Sequence, residues 1–324
     1  MVIELDLKDR RILSELDMDA RQPLSQLGKK VGLSREVVNY RIAQLEKSKV
    51  ILGYYAVLDT AKLGLIYCRI FLKYRGMTLQ KEQELLDFCS KHKDIAWIVI
   101  SEGKWELALV VLAESLRVIE AVRDELGNRF GQYFQDPYIS IALSITEFKH
   151  NYLYKTPDYR EIVVGASGQM VSLDDMDWKI LSAIVDDSRM ALVEIAKAVG
   201  TNPKTVDYRL KRLINDKAIL AFRTMINTRL LGYDHYKVFL TLQEAGNAAS
   251  EIREFLLKDP KVIYITKPLG MHTLEFEAIV KNTSELHGMM MEFRQRFPEE
   301  LVGYDVYFLY EFRSLRYLPA TRSV

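Results

Sequence analysis

The chain has 324 residues, of which 49% are hydrophobic and 27% are charged, and this composition excludes a largely disordered chain. Its 45 basic and 44 acidic side chains nearly cancel to a net charge of +1, so any basic surface must be local. Two cysteines without a CxxC motif or a partner histidine cluster argue against a disulfide framework and a structural zinc site.

The first residues carry acidic side chains within their apolar pattern, which is not typical of a signal peptide. The longest apolar run, Leu107–Ala113, has the length of a strand and falls far short of the roughly 20 residues that span a bilayer. We therefore expect a soluble cytoplasmic protein without a membrane segment.

Each of two similar copies begins with a helical pattern. In the first copy, helices are predicted over residues 8–16, 24–31 and 34–47. Gly32 supplies a turn, and Ser34 is the predicted N-cap of the third helix. Three short helices with a glycine turn before the third have helix-turn-helix spacing, and Ile51–Asp59 is a predicted strand-like wing.

The remainder of the first copy alternates strands and helices in the order βαββαβ. The predicted elements are the strand 66–74, the helix 80–91, the strands 95–101 and 105–112, the helix 116–130 and the strand 138–148. This order is typical of a ferredoxin-like domain, an antiparallel sheet covered by two helices.

The second copy repeats this plan. Residues 5–72 align without a gap with residues 173–240, at an offset of 168. Asn202 is the predicted N-cap of the third helix in this copy. Pro203 stands at the first position of that helix, where a missing backbone N–H costs least. Its strands and helices are predicted at 219–227, 236–242, 249–258, 262–267, 274–280, 284–297 and 304–312. Weaker similarity, with small gaps, continues to residues 147–149 and 311–313.

The sequence thus predicts an α+β protein with two winged helix-turn-helix domains and two ferredoxin-like domains. The predicted boundaries are 1–60 and 61–154 for the first copy, 155–172 for a linker, and 173–228 and 229–324 for the second copy. The linker is predicted from Thr-Pro and Gly-Ala-Ser-Gly, which favour irregular structure.

Local charge supports DNA binding by the third helices. Residues 29–49 contain six basic and two acidic side chains, and residues 197–223 contain seven basic and two acidic side chains. Lys and Arg contacts with phosphate supply most nonspecific DNA affinity. A solvated basic face would show the same pattern, but its repetition in both copies favours DNA. The predicted DNA-binding residues are Ser34, Arg35, Asn39, Tyr40, Arg41 and Lys47, with Lys204, Thr205, Tyr208, Arg209, Lys211 and Arg212.

Two aspects of this assignment are left open by the residues. Arg41 and Arg209 lie beside the inner faces of their helices, so they either pair within the domain or contact phosphate. The outward faces also differ between the copies, because Glu36 stands where the second copy has Lys204. The two reading helices are therefore predicted to bind DNA unequally, the second more strongly.

The residues resemble the Lrp/AsnC, or feast/famine, family of transcription regulators. The resemblance rests on Leu-Asp-x-x-Asp-x-x-Ile-Leu from residue 5, Val-Gly-Leu-Ser-x-x-x-Val-x-x-Arg-Ile-x-x-Leu-Glu from residue 31, and Val-Ile-x-Gly-Tyr from residue 50. It implies that the βαββαβ parts are RAM domains, which pair and often bind amino acids. It also implies that double-stranded DNA is a partner, and that the chain forms a homodimer or a higher even oligomer through its RAM domains. The duplication makes one chain similar to a covalently joined dimer.

The resemblance implies an effector site near a Gly-x-aromatic-Asp element of the RAM domain. The residues at the corresponding positions are Gly103, Trp105 and Glu106 in the first copy and Gly270 in the second. The second copy lacks the aromatic-acid pair, and a tight hairpin turn is an alternative role for both glycines. No pattern indicates a catalytic residue, a metal site or a cofactor.

The sequence leaves two alternative functions open. Sirohaem decarboxylases are similar in architecture and work as paired homologous subunits, which a tandem chain would mimic. Their chains typically carry a Phe-Pro-rich element where this chain has residues 19–23 and 187–189, and neither copy has it. The other alternative is an effector sensor that acts by protein contact without binding DNA.

Overall fold

A computed structural model describes residues 2–154, 158–165, 169–243 and 248–319 of the chain. Its helices are α1 (Leu7–Leu16), α2 (Leu24–Val31), α3 (Arg35–Lys47), α4 (Leu79–Lys91), α5 (Leu116–Phe130), α6 (Asp175–Val185), α7 (Leu192–Val199), α8 (Pro203–Asn215), α9 (Ala248–Lys258) and α10 (Thr283–Arg296). Its strands are β1 (Ile51–Leu58), β2 (Ile66–Leu72), β3 (Ile95–Glu102), β4 (Leu107–Ala113), β5 (Tyr138–Phe148), β6 (Glu161–Val164), β7 (Ile219–Ile226), β8 (Asp234–Leu242), β9 (Val262–Leu269), β10 (Leu274–Val280) and β11 (Leu301–Leu315).

The predicted helix caps are present in both helix-turn-helix domains. Ser34 accepts a hydrogen bond from the backbone N–H of Val37 at 3.3 Å, and Asn202 accepts one from Thr205 at 3.0 Å. Gly32 ends α2 at a φ of +68°, a left-handed conformation that glycine adopts without steric cost. The short polar residues and the glycine therefore fix where each third helix begins.

The two wing strands pair with each other. β1 of the first copy and β7 of the second form an antiparallel two-stranded ribbon, with Tyr55 opposite Arg223. Each predicted wing is thus present as a strand, but its partner lies in the other copy. This ribbon joins the two helix-turn-helix domains directly.

The two ferredoxin-like sheets close into one barrel. Eight antiparallel strands follow the order β2-β4-β3-β11-β8-β10-β9-β5, and β5 pairs with β2 to complete the ring. Within the barrel, the two copies pair through β3 with β11 and through β9 with β5. The pairing expected of RAM domains is therefore made inside one chain. A homodimer would have to use other surfaces than these strand edges.

The four helices of the βαββαβ parts cover the outside of the barrel. One apolar cluster joins α4 and α5 to the first sheet through Leu85, Val122 and Leu126, and another joins α9 and α10 to the second through Leu256 and Phe293. The barrel interior is aromatic and charged and retains a cavity of only about 70 Å³. It is filled by the chain's own side chains.

The predicted linker contains a strand. β6 lies within residues 155–172 and pairs with β5, with Ile145 opposite Val164. Ile162 and Val164 are buried against the barrel, which explains why this short segment is ordered. Residues 155–157 and 166–168 of the predicted linker lie outside the described residues.

A buried ion cluster inside the barrel joins the two copies. Arg69 on β2 donates to Glu275 on β10 and, at 2.6 Å, to the hydroxyl of Ser140. Lys237, the equivalent of Arg69, contacts Glu275 at 3.1 Å and Glu277 at 2.9 Å. Both glutamates belong to the second copy, so the cluster crosses from one copy to the other through Arg69.

This cluster predicts acid sensitivity. Burial alone would raise the pKa of Glu277, but the charge of Lys237 and a hydrogen bond with His235 outweigh it and lower the pKa to about 2. The pKa of Glu275 is also lowered, by Arg69 and Lys237. A carboxyl group with a lowered folded pKa stabilises the fold fully above its unfolded pKa and loses that contribution as the pH falls through the folded value.

As the pH falls from about 4.5 to about 2, protonation of Glu277 alone should lower the free energy of unfolding by about 3 kcal/mol. Urea unfolding at a series of pH values measures this. Glu277→Gln should flatten the dependence, and an equally steep acid loss in that variant would contradict the assignment.

Candidate nucleic-acid interface

The third helices present equivalent outer faces. Tyr40 on α3 is 63% exposed and Tyr208 on α8 is 69% exposed, at equivalent positions. The inner faces, including Val38 and Val206, are fully buried. The predicted site residues that are exposed are Ser34, Arg35, Asn39, Tyr40, Lys47, Lys204, Tyr208 and Lys211, while Arg41, Thr205, Arg209 and Arg212 are half-buried.

The arginines beside the inner faces pair within their own domains. Arg41 donates to Asp6 at 2.7 Å and to Asp9 at 2.8 Å. Arg209 donates to Asp174 at 2.6 Å and to Asp177 at 2.9 Å. Arg41 and Arg209 therefore join the first helix of each domain to the third. Of their two predicted roles, the structure shows the pairing within the domain.

The basic surface of the second copy is smaller than the sequence predicts. Arg223, one of its seven counted bases, is fully buried in the core, and Arg212 pairs with the buried Asp177. Lys204 makes no ion pair among the described residues, and Lys211 contacts Asp207 at 2.6 Å on the helix surface. An exposed pair of this kind is worth little, so Lys211 remains available to an anion.

Lys49 and Lys217 have a backbone conformation that the sequence did not indicate. Both have a φ of +62°, and among the described residues they alone are non-glycine residues with a positive φ. They stand at equivalent positions just after α3 and α8. The amides that follow bond back into the helix, Val50 to Leu45 at 3.0 Å and Ala218 to Leu213 at 2.9 Å. Both lysine side chains are exposed at the end of a reading helix.

The predicted effector loops lie at one end of the barrel and are tightly packed. Trp105 is 5% exposed, and its ring lies between those of Tyr138 and Tyr307, with centroids 5.0 and 5.1 Å away. Glu106 pairs with Lys73 and accepts the backbone N–H of Tyr74 at 2.7 Å. The predicted effector side chains are therefore packed against the chain itself.

The two predicted loop glycines are in turns with little free space. Gly103 has a φ of +144°, which few other residues adopt, and a Cβ there would lie 3.1 Å from the ring of Tyr307. A Cβ on Gly270 would lie 2.4 Å from the hydroxyl of Tyr138. Close packing therefore accounts for both glycines.

Within the described ranges, no three His, Cys, Asp or Glu side chains are placed to hold a metal ion. Over the same part of the chain, no helix is long and apolar enough to cross a membrane.

Comparisons with known proteins give two kinds of similarity. The AsnC-type helix-turn-helix domain model matches residues 5–46 and 173–214. The HTH-type transcriptional regulator FL11 of Pyrococcus furiosus is 30% identical over 118 residues, which are 36% of this chain and 78% of that protein. The proline dehydrogenase transcriptional activator of Rhizobium radiobacter is 43% identical over 83 residues, 26% of this chain and 53% of that protein.

The structural comparison covers the whole chain. A crystal structure of the siroheme decarboxylase NirDL, bound to an iron-uroporphyrin III analogue, superposes with a TM-score of 0.64 and 13% identity, over 96% of this chain and 94% of that chain. This likeness shows the tandem fold.

Proposed function

Because the chain belongs to the Lrp/AsnC family of transcription regulators, we propose that it is a sequence-specific DNA-binding regulator that carries both reading heads of a dimer in one chain. The observation that supports this most directly is the pair of exposed third helices, joined through the β1–β7 ribbon. A helix-turn-helix domain places its third helix in the major groove, and two joined domains read two half-sites.

The predicted site residues divide by chemistry. Arg35, Lys47 and Lys211 would contact phosphate, which positions the protein without reading sequence. Asn39, Tyr40, Lys204 and Tyr208 would lie nearer the base edges of their grooves. Because the two outer faces differ, we propose an operator with two unlike half-sites. Two chains, if they associate, would bring four reading heads and raise affinity through avidity.

Selection from a random-sequence duplex pool at physiological salt tests the proposal. We expect one enriched motif with unlike halves, bound about 10³-fold or more tightly than scrambled DNA. A pool without enrichment would refute sequence-specific regulation. Undetectable binding to every DNA at low salt would favour the effector sensor that acts by protein contact.

The lysines with positive φ provide a second test. Lys217→Gly should raise the free energy of unfolding by up to about 1 kcal/mol, because glycine adopts this conformation without the Cβ clash. The same variant should bind DNA more weakly, with the salt slope reduced by about one phosphate contact. Lys217→Ala is the matched control, since it removes the charge but keeps the strain. An unchanged salt slope in both variants would exclude a phosphate contact.

A sirohaem decarboxylase-like activity is the alternative that the fold of NirDL brings forward. The likeness concerns the fold, and the sequence relatives are named as regulators. We therefore expect no shift of the Soret band when sirohaem is titrated with the protein. A saturable shift at one equivalent would instead favour the enzyme.

An amino-acid effector is a separate proposal for the loops at Gly103 and Gly270. Because the Trp105 ring is stacked between two tyrosines, a ligand bound there would have to move it. Titration with free amino acids should then change tryptophan fluorescence, and Trp105→Phe should abolish the change. A thermal shift without a fluorescence change would place the effector elsewhere.

A further inference from the structure

The two copies differ in what covers the last strand of each βαββαβ unit. In the first copy, β6 adds to the edge of β5 over Ile145–Phe148. The equivalent residues of the second copy are Leu309–Phe312 of β11. On one side, all of these except Tyr310 pair with β3, and on the other, beyond Phe308, no strand among the described residues pairs with them. The backbone oxygen of Tyr310 accepts an N–H of the Arg229 side chain at 3.4 Å, which an added strand would displace.

The second copy retains the other parts of a strand-binding slot. In the first copy, Asp59 accepts the backbone N–H of Gly165, directly after β6, at 3.0 Å. Its equivalent, Asn227, lines a cavity of about 350 Å³ beside the open edge of β11, and its side-chain oxygen accepts the backbone N–H of Leu230 at 3.2 Å, which leaves a second lone pair for a strand. The end of the slot is therefore marked by an acceptor in both copies.

The apolar floor of the slot is present but uncovered. Leu220 lies in the apolar cluster that includes Ile162 and Val164 of β6. Its equivalent, Leu52, is 51% exposed and lines the cavity. Tyr310 on the open edge is 43% exposed, whereas its equivalent Thr146 is 7% exposed. An exposed strand edge beside an apolar cavity is a template for strand addition.

We propose that this slot, lined by Leu52, Asn227 and the edge Leu309–Phe312, binds an extended peptide with apolar residues at alternate positions. The occupant is defined by β6, whose Ile162 and Val164 fill the equivalent place. Backbone pairing with β11 would supply affinity, and the cavity would select the alternate side chains. The ribbon strand β1 forms one wall, so a bound peptide contacts the element that joins the two reading heads. The proposal is independent of DNA binding.

A peptide with the sequence of residues 159–165, Tyr-Arg-Glu-Ile-Val-Val-Gly, is the probe. Added to the full ¹⁵N-labelled chain, it should shift the amide signals of Leu309–Phe312 in a saturable manner. The same peptide with Ile162→Asp and Val164→Asp should bind at least about tenfold more weakly. This comparison uses the unaltered protein and does not depend on the folding of a variant.

Leu52→Glu in the protein should weaken binding by a similar factor. Leu116→Glu, which alters another exposed leucine at the start of α5, is the matched control and should leave binding unchanged. Three results would overturn the proposal: no saturable shift at about millimolar peptide, shifts confined to Ile145–Phe148 through displacement of β6, or equal binding by Leu52→Glu.

Discussion

Reversing the charges of Lys204 and Lys211 should weaken operator binding by about a hundredfold and lower the salt slope by about two. Both side chains are exposed on α8, and repulsion would replace attraction at two positions that would face the DNA. Arg35→Ala should have a much smaller effect, because we expect the adjacent Glu36 to weaken the attraction of this end of α3 for phosphate. Fluorescence anisotropy at several salt concentrations measures both quantities.

The matched control is Lys81→Glu combined with Lys258→Glu. These lysines are on α4 and α9 outside the barrel, so the net charge changes equally without altering a reading helix. The control should bind DNA nearly as well as the unaltered protein. Binding that survived the Lys204 and Lys211 changes but was lost on Arg35→Ala would reverse the ranking of the two reading heads.

Arg223→Met should cost about 3–5 kcal/mol of unfolding free energy, the largest stability effect that we expect from one substitution. The Arg223 side chain is fully buried, with N–H groups 2.7 Å from Asp17 and 2.9 Å from Glu147. It also donates to the backbone oxygen of Phe148 at 3.0 Å. Removing it would leave the buried Glu147 without a cation and Asp17 with only the imidazole of His150, 3.0 Å away, and a buried carboxylate is expensive to desolvate.

The pH dependence of the unfolding free energy should show whether the uncompensated carboxylates cause this loss. Arg223 lowers the pKa of Asp17 well below its usual range despite burial, so the intact protein loses stability in acid. In Arg223→Met, the pKa of Asp17 should rise, and stability should instead increase as the pH falls towards 5. Arg229→Met, at an exposed arginine, is the control. Adding Asp17→Asn and Glu147→Gln should recover part of the loss, and no recovery would contradict the charge argument.

This second ion network also joins the two helix-turn-helix domains to the barrel. Asp17 ends α1 of the first helix-turn-helix domain, Arg223 lies on β7 of the second, and Glu147 lies on β5 of the barrel. The Arg223 variant should therefore loosen the reading heads from the barrel. Native-state hydrogen exchange would detect this as earlier opening of α1 and β7.

The sequence by itself determined the elements and their repetition. Short-range signals placed the third helices, because an N-cap such as Ser34 or Asn202 and a glycine such as Gly32 act within one helical turn. The order βαββαβ followed from local periodicity. The exposed face of α3 followed from the spacing of Val38, Ile42 and Leu45, since these apolar residues must point inward. The same spacing of apolar residues in α8 determined its exposed face.

Only the tertiary structure decided which elements of the two copies meet. The pairing of β1 with β7 and the closing of the barrel depend on strand edges far apart in the chain, and edge pairing leaves no local pattern. The same reason explains why Arg223 was counted among surface bases: its acidic partners, Asp17 and Glu147, are distant in sequence. β6 was predicted as linker because four residues are too few to show a period, and only packing against β5 makes them a strand.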